Sequence, residues 1–178
     1  QNVRKEAIKS QAEEVAKSLG GEVEIEDDLL EEITYLVEYP TAFYGEFNKD
    51  YVKLPKEVVT TPMKEHQRYF PVSKDGKLLP YFIAVRNGDT HAIDIVKAGN
   101  EKVLEARLAD ALFFYDEDIK KPLESFVENL KTVVFQAKLG TVYDKTLRIE
   151  KLAQDIVETL DEKEILNDTL RAAKLCKA

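Results

Sequence analysis

One cysteine, two histidines and one methionine among 178 residues remove several chemistries at the outset. Cys176 has no partner for an internal disulfide and suits a reducing, cytoplasmic setting. Near the end of a helical pattern it is expected as a small buried apolar residue. His66, His91 and Cys176 supply no pair at zinc spacing. There is no glycine-rich phosphate loop, no Gly-x-Ser-x-Gly elbow and no dinucleotide fingerprint. No apolar run approaches the roughly 20 residues of a membrane span. Charged residues break Asn2 to Lys17, where a signal peptide would need an apolar stretch. A self-contained enzyme is not expected, nor is a metal or cofactor site.

Gln1 is not a start residue, Met63 lies far inside, and Leu170 to Ala178 is helical in pattern with no Gly, Asn or Pro to close it. An internal piece of a longer chain is expected. Apolar residues make up 44% and charged residues 34%, with a net charge of −8, which excludes a uniformly basic nucleic-acid binder. The charge is uneven. Glu22 to Glu38 holds eight acidic residues and no basic one, whereas Lys53 to Arg86 holds seven basic against three acidic, a balance of 7 − 3 = +4.

Asn2 to Leu19 reads as an amphipathic helix with Val3, Ala7, Ile8, Gln11, Val15, Ala16 and Leu19 near one face, stopped by Gly20-Gly21. Glu22 to Glu26 alternates like a half-buried strand. Asp27 or Asp28 is expected to cap a helix from Leu29 to Val37, with Leu29, Leu30, Ile33, Leu36 and Val37 inward. The carboxylates at its start favour the helix dipole, a simpler explanation of the acidic run than a metal site. Thr41 to Phe47 is β-rich, and Pro55 opens a helix running towards His66. Arg68 to Val72 and Tyr81 to Val85 read as paired strands around Lys74-Asp75-Gly76-Lys77, a connection longer than the tightest hairpin.

From Ile93 the pattern is helical: Lys102 to Tyr115 with a stripe of Val103, Leu104, Arg107, Leu108, Ala111 and Leu112, then a helix from Pro122 to Lys131. Asp144 to Leu160 follows, with Ile149, Leu152, Ala153, Ile156, Val157 and Leu160 at helical spacing, and then Lys163 to Ala178. The fold class expected is α+β: a small mixed α/β domain over 1–95, then an all-helical segment over 96–178.

Two stretches carry candidate chemistry. Lys64 and Arg68 can neutralise phosphates, His66 and Gln67 can bond base edges or 2′-hydroxyls, and Tyr69 can stack on an unpaired base. The competing explanation is a helix-to-strand junction with Tyr69 or Phe70 in the core. Asn100 is a plausible helix N-cap, Glu101 is favoured near the positive dipole end, and Arg107 can bridge to Asp110. An arginine on the apolar stripe needs a carboxylate, a phosphate or a domain interface.

Met63-Lys64-Glu65-His66-Gln67-Arg68-Tyr69-Phe70, Gly76-Lys77-Leu78-Leu79-Pro80-Tyr81-Phe82-Ile83 and Gly99-Asn100-Glu101-Lys102-Val103-Leu104-Glu105-Ala106-Arg107-Leu108-Ala109-Asp110-Ala111 resemble the β subunit of bacterial heterotetrameric glycyl-tRNA synthetase. So do Leu36-Val37-Glu38-Tyr39-Pro40 and Lys138-Leu139-Gly140-Thr141-Val142-Tyr143-Asp144-Lys145, in the family's order. The resemblance implies a partner α subunit that carries the class II site for glycine, ATP and Mg2+. It also implies a second β subunit in the tetramer and tRNA(Gly) as the RNA partner, with no membrane. The first half resembles the B3/B4 editing-type module of phenylalanyl-tRNA synthetase, and the second half would enter an HD-like domain whose His-Asp pair is absent here. Three roles follow as expectations: support of tRNA binding and assembly, a purely structural scaffold, or an editing-type hydrolase module.

Overall fold

The computed structural model describes all residues from Gln1 to Ala178, which divide into two compact units, Gln1–Asp116 and Glu117–Ala178. In the first unit the order is α1 (Asn2–Ser18), β1 (Glu22–Val23), α2 (Asp27–Leu36), β2 (Pro40–Glu46), a 3-10 turn (Lys49–Lys53), α3 (Lys56–Thr61), a π turn (Pro62–His66), β3 (Phe70–Lys74), β4 (Lys77–Asn87) and α4 (Ile93–Asp118, whose last two residues belong to the second unit). The helix-strand alternation follows the expected one up to β4. The strands form one antiparallel sheet in the order β1-β3-β4-β2.

Alternation along the strands sends apolar side chains to both faces of this sheet. Phe70, Val72 and Ile83 join Ile8, Ala12 and Ala16 of α1 and Leu29, Leu30 and Ile33 of α2 in one cluster. Phe43, Tyr69, Phe82 and Ala84 join Val59, Met63, Leu104 and Leu108 in the other. The sheet is therefore buried between two helical layers. Gln11 of α1 ties its layer to edge strand β2, donating to the Pro40 carbonyl at 3.2 Å and accepting from the Ala42 N–H at 2.9 Å.

Several expectations need correction. The β1 strand shrinks to two residues. The expected inward faces lose Val3 and Leu36, which are exposed, while Ala12 takes an inward place on α1. Asp27 and Asp28 lie in the first turn of α2, whose N-cap is Glu26 with no side-chain cap bond. The β3–β4 connection is the tightest kind after all. Asp75 and Gly76 both take positive φ (50° and 75°) and Lys74 pairs with Lys77, the two-residue geometry that matches strand twist. The helix expected to run from Pro55 to His66 changes character at Pro62, which has no N–H to give to the preceding turn, and the chain widens into π geometry.

Asn100 is not an N-cap. Helix α4 begins at Ile93, so Asn100 and Glu101 sit in its interior. Its inward face runs through Ile93, Val96, Leu104, Leu108 and Leu112, with Asn100 between Val96 and Leu104 at the same four-residue step. Val103 and Arg107, expected on that stripe, are exposed. Leu104 and Leu108 are fully buried in the first unit's core, so the first 24 residues of α4 complete that unit.

The second unit is not all-helical. A 3-10 segment (Leu123–Thr132) replaces the expected helix after Pro122, and β5 (Val134–Gln136) pairs with β6 (Gly140–Thr141) in a small hairpin. Helices α5 (Val142–Thr159) and α6 (Leu166–Leu175) follow, separated by a short 3-10 turn, Lys163–Ile165. Thr141 and Asp144 form a reciprocal capping box that starts α5. Val127, Leu130, Val157 and Ala173 are buried, but Leu152, Ile156 and Leu160 of the expected α5 stripe are exposed. Cys176 is exposed rather than buried, at the C-terminal end of α6. No helix is long and apolar enough to cross a membrane.

Candidate functional site

The π turn sets the geometry of the first candidate stretch. Met63 points into the core, Lys64 is mostly covered, and Glu65 and His66 are exposed. After Gln67 the chain reverses through Arg68, a non-glycine residue at φ 56°, in the left-handed region that costs a side chain roughly 1 kcal/mol. The Arg68 guanidinium offsets this locally. Its NH1 donates to the Glu65 and His66 carbonyls at 3.1 Å each, capping the end of the turn where free carbonyls favour a cation. Tyr69 then enters the core, its N–H bonded to the Met63 carbonyl at 2.9 Å.

The basic residues of this junction meet the acidic run of the first 38 residues. Lys56 Nζ lies 2.5 Å from Glu24, Lys64 Nζ 2.6 Å from Glu26, and Arg68 Nε 2.8 Å from Glu32. Three pairs therefore tie α2 and the β1–α2 connection to the α3–β3 segment. Burial pushes the Glu24 carboxyl up, but hydrogen bonds from Lys56 and Ser73 and the charges of Lys56 and Lys64 outweigh it, leaving its pKa below the ordinary value. Half-exposed pairs of this kind each contribute at most about 1 kcal/mol, so their effect is register more than stability.

Tyr69 links the two candidate stretches. Its ring stacks on Phe82, centroids 4.5 Å apart and planes at 17°, and its hydroxyl donates to Asn100 Oδ1. Asn100 Nδ2 in turn donates to the Val96 carbonyl at 2.7 Å, so a polar side chain on an apolar face is satisfied at both ends. Glu101 accepts from the Glu46 N–H at 2.8 Å, with Lys97 3.7 Å away, and so covers the free edge of β2. Lys97 also lies 4.0 Å over the Tyr44 ring. Arg107 and Asp110 are both exposed, and no ion pair joins them.

Burial pushes the Tyr69 phenol up to about 12. A phenol whose ionisation is suppressed in the folded state adds stability below its unfolded pKa near about 10, and that contribution is lost as pH rises towards the folded value. Burial and the Glu105 carboxylate also push the Tyr51 phenol up, so ultraviolet titration of the folded chain should show tyrosinate formation delayed relative to the same chain in denaturant, and Tyr69→Phe should remove the step near about pH 12. A late step unchanged in Tyr69→Phe would mean another phenol carries it.

Beside this link lies a cavity of about 260 Å³ lined by Gln67, Arg68, Tyr69, Arg86 and Asn100 and by an apolar set including Ile33, Val37, Phe43, Ala84 and Val96. Four of the sequence candidates thus share one site, and His66, Lys64, Glu101, Arg107 and Asp110 lie outside its lining. Sequence reasoning missed Arg86, and it also missed the carboxylates Glu24, Glu26 and Glu32 as partners of the basic run. The matched blocks of eight acidic and seven basic residues were the available signal for the latter.

The glycyl-tRNA synthetase β-subunit family matches over residues 1–178. The chain belongs to that family. It is 74% identical over 178 residues to the glycine–tRNA ligase β subunit of Clostridioides difficile strain 630, covering 100% of this chain and 26% of the relative. Identity is 53% over 177 residues with that of Desulfitobacterium hafniense strain Y51, covering 98% and 26%. With the Bacillus subtilis strain 168 subunit it is 47% over 178 residues, covering 99% and 26%. The chain spans about a quarter of the length of these relatives. In this family member, the strings at Met63–Phe70 and Gly99–Ala111 meet through the Tyr69–Asn100 bond.

Proposed function

We propose that this chain is a non-catalytic supporting part of a glycine–tRNA ligase, which charges tRNA(Gly) with glycine using ATP and Mg2+ at a partner α subunit in the cytoplasm. Its own task is to hold the β subunit in the form that assembles with α and with a second β and that presents tRNA-binding surfaces. The B3/B4-like character of the first unit and the HD-like character of the second belong to this proposal. The observation that carries it is the pairing of Lys56, Lys64 and Arg68 with Glu24, Glu26 and Glu32. Cations already held by carboxylates are suited to fixing a junction, because moving them to phosphates would strand three acidic groups beside the RNA.

Direct tRNA contact by the same junction is the second reading, favoured by the exposure of His66 and the half-exposed guanidinium of Arg68. The substitutions Lys64→Ala and Arg68→Ala in the intact tetramer separate the two. A positioning role lowers tetramer stability and leaves tRNA affinity unchanged, within about twofold, in the tetramer that assembles. Direct contact lowers affinity and flattens the dependence of log K on log salt by about 0.9 per lost duplex phosphate contact. Weakened tRNA affinity with unchanged tetramer stability would refute the positioning role.

A further inference from the structure

The cavity lined by Arg68, Arg86, Tyr69 and Asn100 has features that the scaffold role does not use. Arg68 is committed to Glu32 and to two carbonyls, whereas Arg86 makes one hydrogen bond, from NH1 to the His91 carbonyl at 2.7 Å, and has no carboxylate partner. This half-buried arginine beside an apolar wall keeps most of its five guanidinium donors unspent. The register explains its position. Arg86 follows Phe82 and Ala84 on the same face of β4, so it stands at the end of the strand where the wall formed by Ala84, Phe43 and Val96 opens.

We propose that this cavity binds a small monocarboxylate with a compact apolar body. Charge selects the head group: Arg68 and Arg86 against Glu32 leave one net positive charge, which a monoanion neutralises and a phosphate dianion exceeds. The planar fork of Arg86 matches a carboxylate through two parallel N–H donors. Size selects the body, since about 260 Å³ lies just below the usual range of pockets for drug-sized ligands and accommodates a single ring or branched aliphatic group, not a nucleotide. The remaining Asn100 amide N–H and the Tyr69 hydroxyl lone pairs offer a second polar contact in the same lining. The site shares Arg68 with the ion-pair strap but turns on Arg86, which makes no strap pair, so failure of the Arg86 and Val96 tests would leave the supporting role standing.

The test is a titration of the intact ligase with benzoate and its neutral isostere benzamide, followed by saturation-transfer NMR and calorimetry. Benzoate is expected to bind saturably and benzamide at least about tenfold more weakly, the worth of a charge-assisted bidentate contact. Arg86→Gln should weaken benzoate by about the same factor, while Arg107→Gln, an exposed arginine remote from the cavity lining, should bind as the parent does. Val96→Phe, which fills the cavity and leaves the arginine in place, should abolish binding outright and serves if Arg86→Gln fails to fold. Equal affinity for acid and amide, parental binding in either cavity variant, or no saturable binding at millimolar benzoate would overturn the proposal.

Discussion

Phe82→Ala is expected to destabilise the chain by about 3–5 kcal/mol, a large part of the roughly 5–15 kcal/mol that holds a domain folded. Phe82 is fully buried on the central strand β4, its ring stacked on Tyr69 and its far edge lying over Gly45 of β2. A Cβ at Gly45 would sit well inside contact distance of the Phe82 ring, so the glycine is the space the ring occupies. Truncating the ring empties that space, removes the partner of Tyr69, and leaves a hole that strands hydrogen-bonded on both sides cannot close. Gly45→Ala attacks the same contact from the other side and should cost about 1–3 kcal/mol by overpacking. Because the two share one volume, Gly45→Ala with Phe82→Leu should cost less than the sum of the singles. Urea unfolding of the parent, Phe82→Ala, Gly45→Ala, Phe82→Leu and the double variant measures this, and strictly additive costs would show that the ring and the glycine do not compete for space.

Much of the first unit was legible because its elements carry local signals. Asp75-Gly76 marks a hairpin, Gly20-Gly21 ends a helix, and period-two and helical apolar patterns alternate from Asn2 to Val85. The sequence reading went wrong where a tertiary partner outvoted the local pattern. Asn100 looked like an N-cap after Gly99, but Ile93 and Val96 pack into the core cluster and draw the helix back by two turns, leaving Asn100 to find Tyr69 instead. Arg107 looked buried only because Val103 seemed to define the stripe; once Val96, Asn100, Leu104 and Leu108 define it, Arg107 faces water. The site itself was half legible. The two candidate stretches were singled out from composition, but nothing local could reveal that Tyr69 joins them, or that Arg86 stands at the same cavity, since each depends on strand register. The second unit was read as a series of helices with no strand because apolar residues at Val133, Val134 and Phe135 fit either period over so short a run. Gly140 at φ 86° resolves them into a hairpin.

The second large effect is expected at the Tyr69–Asn100 pair, where the double substitution should cost less than either single one. Asn100→Leu puts an apolar residue on the inward face of α4 but strands the Tyr69 hydroxyl beneath it, at a cost of about 1–3 kcal/mol for an unsatisfied buried polar group. Tyr69→Phe keeps the ring on Phe82 but orphans Asn100 Oδ1, and should cost a similar amount. The double variant leaves no polar atom unpaired there: Asn100 Nδ2 disappears with the side chain, and the Val96 carbonyl keeps its place in the helix ladder. Its stability should therefore return to within about 1 kcal/mol of the parent, a coupling of roughly 1–6 kcal/mol in the cycle, since the two single costs of about 1–3 kcal/mol would otherwise add. Tyr69→Ala is different in kind, because it also removes the ring from the stack, and should approach the Phe82→Ala loss. Urea denaturation of the parent and four variants decides the matter. If the double variant loses as much as the two singles combined, the hydroxyl–amide bond is not the joint between the two stretches, and the packing of α4 against the sheet rests on the apolar contacts alone.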